Sequence, residues 1–167
     1  LQSAGAHNIN LVTPTHYAVQ IKEALALLRE PLTIPIVYNC GGYESAEGLK
    51  ILKDDVAVYL TDMKYAESAL AQRYSGAADY YETAVSALKK MLLYAGTPKY
   101  DSDGIMQSGV IVRHLVLPGC RHDSIELLHR LKAEFGTSAF RLSLMSQFTP
   151  TENLQNYPEL NRRITSF

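Results

Sequence analysis

Apolar positions along this chain follow two periods in turn. Short apolar runs, most of them carrying β-branched residues, are read as strands at Asn8–Val12, Ile34–Tyr38, Val56–Leu60, Val110–Leu117 and Phe140–Met145. Between them apolar residues recur at helical spacing. Ala18, Ile21, Leu25 and Leu28 predict a helix to about Arg29, stopped by Pro31. Shorter helices are expected over Ala46–Leu52 and Ala66–Arg73. Val85, Leu88 and Leu92 mark a longer helix after Asp79, and Ile125, Leu128 and Leu131 mark another after Asp123. Asp79 with Glu82, and Asp123 with Glu126, have the spacing of capping boxes. Thr13 or Thr15 is placed to cap the first helix, and Ser45 the second. The stretch from Thr97 to Ser108 is polar and reads as a loop. The tail from Pro150 to Phe167 has little pattern beyond a helical turn after Pro158.

About five strands alternating with helices predict parallel β-α units in one α/β domain covering residues 1–167. A doubly wound open sheet and an incomplete β/α barrel fit this pattern equally. Leu1–Gly5 resembles the last turn of a helix ending at a glycine cap, and there is no initiator Met. The chain is therefore expected to begin inside a fold, as part of a longer protein.

In such folds ligands bind at the C-terminal ends of the strands. The residues delivered there are Thr13, Thr15 and His16; Asn39 and Cys40; Asp62 and Lys64; Arg113 and His114; and Ser146 and Gln147. Asp62 and Lys64, two apart, share a face of an extended chain and suit a zwitterionic or ribose-bearing ligand. Arg113 sits inside the most apolar strand, so its charge needs a partner or a polar cavity. Gly41 and Gly42 permit positive φ or a close approach to the backbone. Tyr43 and Tyr65 follow strand ends and are placed to wall a ring-shaped ligand. Cys40 has no readable relation to a histidine and is expected to be a small buried residue rather than a nucleophile.

Composition narrows the classes. A net charge of −1, without basic or acidic runs, argues against nucleic-acid or membrane-surface binding. No segment is apolar for long enough to span a bilayer and no signal peptide is visible, so a cytoplasmic location is expected. The two cysteines, Cys40 and Cys120, do not have the spacing of a zinc or iron–sulfur site, and a disulfide between them is not expected. No phosphate-loop or dinucleotide-binding fingerprint is present.

The strand-end words resemble those of the radical S-adenosylmethionine enzymes, of the pyruvate formate-lyase-activating type. The matching segments are Gly5-Ala-His-Asn-Ile-Asn-Leu-Val-Thr-Pro-Thr-His-Tyr17, Ile34-Pro-Ile-Val-Tyr-Asn-Cys-Gly-Gly-Tyr-Glu-Ser45, Tyr59-Leu-Thr-Asp-Met-Lys-Tyr65, Val112-Arg-His-Leu-Val-Leu-Pro-Gly119 and Tyr157-Pro-Glu-Leu-Asn-Arg-Arg-Ile-Thr165. The resemblance implies a partial, TIM-like β/α barrel truncated at its N-terminus. It implies S-adenosylmethionine and a 4Fe–4S cluster as cofactors of the full-length parent. Reductive cleavage would give a 5′-deoxyadenosyl radical that abstracts hydrogen, in the activases from a glycyl radical enzyme as partner. Asn39 and Cys40 then fall at a cofactor-contacting strand end. Asp62 and Lys64 match the motif that contacts the methionine and ribose portions, Arg113 matches the arginine before the V-x-P-G turn, and Gln147 lies where a later strand reaches the adenosine. Thr13, Thr15 and His16 occupy the place of the family's G-G-E segment. The family's three-cysteine cluster loop has no counterpart here, so the chain alone is expected to be inactive.

Two other functions are compatible with the same residues. One is a Schiff-base lyase or aldolase using Lys64. The other is a non-catalytic nucleotide-binding module. A truncated barrel would also leave Asn8–Val12 as an exposed edge, where dimerisation is expected.

Overall fold

The computed structural model describes residues 1–152 and 154–164. Thr165, the last residue of the Tyr157–Thr165 segment, lies outside the described residues. The main elements are β1 (Ile9–Val12), α1 (Ala18–Ala26), β2 (Ile36–Cys40), α2 (Ala46–Ile51), β3 (Val58–Asp62), α3 (Ser68–Ser75), α4 (Tyr80–Ala95), β4 (Lys99–Tyr100), β5 (Met106–Leu115), α5 (Arg121–Phe135) and β6 (Arg141–Met145). Short 3-10 turns cover Gln2–Ala4, Pro14–Tyr17, Leu154–Asn156 and Pro158–Leu160.

The strands form one six-stranded, mostly parallel sheet. β1, β2, β3, β5 and β6 lie side by side and parallel, each joined to the next through helix. The two-residue β4 pairs antiparallel with the start of β5, below the segment that pairs with β6. The sheet is not closed among the described residues: β1 pairs only with β2, and β6 only with β5. This is an α/β fold.

Alternation assigns the two faces. Tyr38 and Cys40 of β2, Tyr59 of β3, and Val110 and Val112 of β5 share one face and are buried in a single apolar cluster. Leu88 and Met91 of α4 and Leu127 and Leu131 of α5 complete that cluster. The opposite face carries Asn39, Leu60, Asp62, Ile111, Arg113, Leu115, Ser143 and Met145, which are half-buried. The apolar layer thus sits on the helix side, while the other face keeps a polar rim at the strand C-termini.

Several expectations change. β2 and β3 start and end two residues later than read from the sequence. Val56 still bonds back to the carbonyl of Leu52 at the end of α2, and Ala57 is the first residue to bond to the neighbouring strands, its N–H donating to the Ile36 carbonyl and its carbonyl accepting from Gly109 N–H. The shift makes Asn39 and Asp62 strand residues rather than loop residues. The stretch read as a loop before Ser108 contains β4 and the start of β5, giving six strands.

Ser45 caps α2, accepting from Gly48 N–H at 3.0 Å. The other caps do not form. Thr13 precedes its 3-10 turn with φ 53° and makes no side-chain cap, and Thr15 turns its hydroxyl elsewhere. Asp79 accepts from the Tyr43 hydroxyl (2.8 Å) instead of capping α4. Asp123 lies inside the first turn of α5 and caps the other chain segment: its carboxylate accepts from Ala66 N–H and Glu67 N–H at 2.8–3.2 Å. Burial pushes the Asp123 carboxyl up, and the two backbone donors oppose that shift. His114 is fully buried beside it. Its Nδ1–H donates to the Met63 carbonyl (2.7 Å), and its Nε2 faces the Ser124 hydroxyl (2.8 Å). The loop after β3 is therefore held to β5 and α5 by polar side chains.

Asp123→Ala orphans the buried Ala66 N–H and the half-buried Glu67 N–H, so it should lower unfolding free energy by roughly 2–4 kcal/mol in urea denaturation. An unchanged midpoint would show that these bonds hold nothing.

Candidate functional site

Three adjacent parallel strands bring the central residues together. Arg113 on β5 lies in register with Asp62 on β3, and Asn39 on β2 points to the same face. Arg113 Nε donates to Asp62 Oδ1 at 2.9 Å, and Nη2 donates to Asn39 Oδ1 at 2.8 Å while lying 2.9 Å from Asp62 Oδ1. The cation in the apolar strand is thus paired, as its desolvation requires. Both side chains of the ion pair keep about a quarter of their surface, 27% for Arg113 and 25% for Asp62. The pair is therefore reachable by a ligand.

A cavity of about 420 Å³ opens over this group, lined by Asp62, Lys64, Tyr65, Arg113, Leu115, Leu117 and Met145. Lys64 has no carboxylate within 4.0 Å among the described residues. Its Nζ lies over the turn after β2, 3.7 Å from where a Cβ on Gly41 would stand. One wall thus offers a carboxylate, a guanidinium and a free ammonium, and the other is apolar. Such a cavity fits a zwitterion joined to a less polar body.

Tyr80, at the start of α4, holds this rim in place. Its hydroxyl accepts from Lys64 N–H (3.2 Å) and shares its proton between the carbonyls of Gly41 (2.9 Å) and Asp62 (3.0 Å). Burial holds its phenol far above the ordinary range, so it stays a neutral donor. Gly42, at φ 89°, packs against the same carbonyl: a Cβ there would stand 2.1 Å from Asp62 O. No other residue fits that turn without moving β3.

Of the remaining sequence candidates, all but Tyr65 lie apart from the cavity. Cys40 follows Asn39 and so points to the opposite face. Its thiol is buried against the Thr61 hydroxyl at 3.6 Å, and burial pushes it up to about 11. Thr15 contacts the Tyr38 hydroxyl (2.8 Å) and donates to the Glu44 carboxylate on the helix side of the sheet. Thr13 contributes its backbone N–H to Asn39 O (2.8 Å), with its side chain exposed. His16 and Gln147 are exposed and do not line the cavity. Tyr65 lines it, whereas Tyr43 stacks on Tyr80 at 6.1 Å. Tyr80 and Glu44 were missed from the sequence. No local spacing signals either one, because both act on partners distant in the chain.

No protein-family model matches the chain. A relative from Methanocaldococcus jannaschii, named Uncharacterized protein MJ0674, is 30% identical over 160 residues. The match covers 95% of this chain and 42% of the relative, so the chain spans less than half of that protein's length. No helix among the described residues is long and apolar enough to cross a membrane.

A double-mutant cycle on Asp62→Asn and Arg113→Gln should give a coupling of roughly 1–2 kcal/mol, above that of exposed pairs, by chemical denaturation. Additive effects would mean that the contact contributes nothing. Gly42→Ala should cost at least about 3 kcal/mol, combining a positive φ with a clash against backbone. A wild-type melting temperature would refute the tight approach to Asp62.

Proposed function

We propose that this chain forms the S-adenosylmethionine-binding wall of a radical S-adenosylmethionine enzyme of the activating type, on an incomplete β/α barrel. The observation that carries this reading is the bridge from Arg113 to Asp62 and Asn39, with Lys64 over the same cavity, at the ends of three successive parallel strands. Those four are among the nine residues that the sequence resemblance assigns to the cofactor; Thr13, Thr15, His16, Cys40 and Gln147 are not at this rim. Asp62 would accept from ribose hydroxyls or the ammonium, and Lys64 would hold the carboxylate. Arg113 and Asn39 keep the Asp62 carboxylate oriented. When bound, S-adenosylmethionine supplies a 5′-deoxyadenosyl group as hydrogen-abstracting radical.

The described residues do not fit an iron–sulfur cluster. No three His, Cys, Asp or Glu side chains among them converge, and Cys40 is locked in the core. No step is therefore assigned to a cluster within this chain. Radical formation and a glycyl radical partner belong to the proposed whole protein.

S-adenosylmethionine should bind the chain measurably by isothermal titration calorimetry, with Asp62→Asn or Lys64→Gln weakening it at least about tenfold, or 1.4 kcal/mol. Equal affinity in both variants would refute the assignment. A second reading, Schiff-base chemistry at Lys64, is favoured by the unpaired ammonium beside Leu115, Leu117 and Met145. Borohydride trapping of a carbonyl compound on Lys64 would select it over the first.

The outer edge of β1 supports pairing with a second copy. Ile9 and Thr13 turn their N–H groups to β2, so Asn10 and Val12 turn theirs outward. Asn10→Pro removes one outward donor and no internal bond, and should weaken dimerisation in sedimentation measurements. A wild-type monomer would rule the contact out.

A further inference from the structure

A second cavity of about 290 Å³ adjoins the first, with Leu117 lining both. Its other walls are the Val116–Gly119 turn after β5, Arg121 at the start of α5, and Arg162, Arg163 and Ile164. Three guanidinium groups therefore border one small space. None has a carboxylate within 4.0 Å among the described residues, whereas Arg73, Arg113 and Arg130 are each paired.

The nearby acids are turned away. The Asp123 carboxylate is spent on the N–H groups of Ala66 and Glu67, and the Glu159 carboxylate on Arg73 and Tyr74. The segment carrying Arg162 and Arg163 is anchored, since Leu160 is buried and Glu159 is bonded to α3. Arg162 Nη2 lies against the turn, 3.7 Å from the place of a Cβ on Gly119. Gly119, at φ 79°, leaves that side of the turn bare.

Three mutually repelling cations around an open space make a receptor for an anion with several oxygens. Guanidinium forks match the tetrahedral oxygens of phosphate in pairs, and phosphate, with more oxygens and up to two negative charges, answers three cations better than a carboxylate does. We propose that Arg121, Arg162 and Arg163, with the Pro118–Gly119 turn, form a binding site for a phosphate-type oxyanion, either free phosphate or the phosphate end of a small-molecule ester.

Binding of inorganic phosphate, glycerol phosphate and acetate can be compared by phosphorus NMR and calorimetry at constant ionic strength. The expected result is saturable binding of phosphate, the ester or both, weakened at least tenfold in Arg162→Gln/Arg163→Gln and in Arg121→Gln. Tighter binding of the ester identifies an ester as the source, and equal or weaker binding identifies the free ion. All three arginines are exposed, so the variants should fold, which circular dichroism checks. Unchanged phosphate affinity in the variants, acetate binding as tight as phosphate, or no saturable binding would overturn the site. None of these readouts depends on S-adenosylmethionine.

Discussion

A guanidinium in the middle of a sheet must find a counter-charge, and much of this rim follows from that need. Arg113 sits on the half-buried face of β5, between Ile111 and Leu115 along the strand. Its partners come from the next two strands, Asp62 on β3 and Asn39 on β2. The three strand ends are thereby held in one plane. Across the same rim, Tyr80 binds the carbonyls of Gly41 and Asp62, and Gly42 lies directly on the Asp62 carbonyl. Side-chain charge fixes one side of the rim, and backbone contact fixes the other. Between them Lys64 keeps an ammonium with no carboxylate partner among the described residues, over a cavity that is apolar on its far wall.

Much of this was legible in the residues. Alternating periods gave the main helices and five of the six strands in order, while the two-residue β4, which has no apolar run, was read as loop. The need of Arg113 for a partner could be read from its place in an apolar run. The identity of that partner could not, since register between β3 and β5 is a tertiary fact. Asn39 and Cys40 were grouped as one strand end, yet consecutive strand residues face opposite ways, and only Asn39 reaches the site. Asp79 and Asp123 carried the local signature of helix caps. Each found a tertiary donor instead, the Tyr43 hydroxyl for one and two backbone N–H groups for the other. Short-range spacing cannot register a competitor from 36 or 57 positions away.

The functional proposal draws on two independent supports. Of the nine residues that the resemblance assigns to the cofactor, the fold gathers Asn39, Asp62, Lys64 and Arg113 on one rim. The same fold separates Cys40, His16 and Gln147 from the cavity. The proposed cofactor set is thus narrower than the sequence expectation and centred on β2, β3 and β5. The arginine cavity beyond Leu117 extends the polar character of the strand ends toward the C-terminal segment, which is itself tied down through Glu159.

Nitrogen–proton correlation NMR on the labelled chain, titrated with S-adenosylmethionine, is the most direct test of that rim as the cofactor wall. Saturable shifts should concentrate at Asn39, Gly41, Asp62, Lys64 and Arg113 and spare His16 and Gln147. Shifts confined to other surfaces, or none at saturating ligand, would contradict the account.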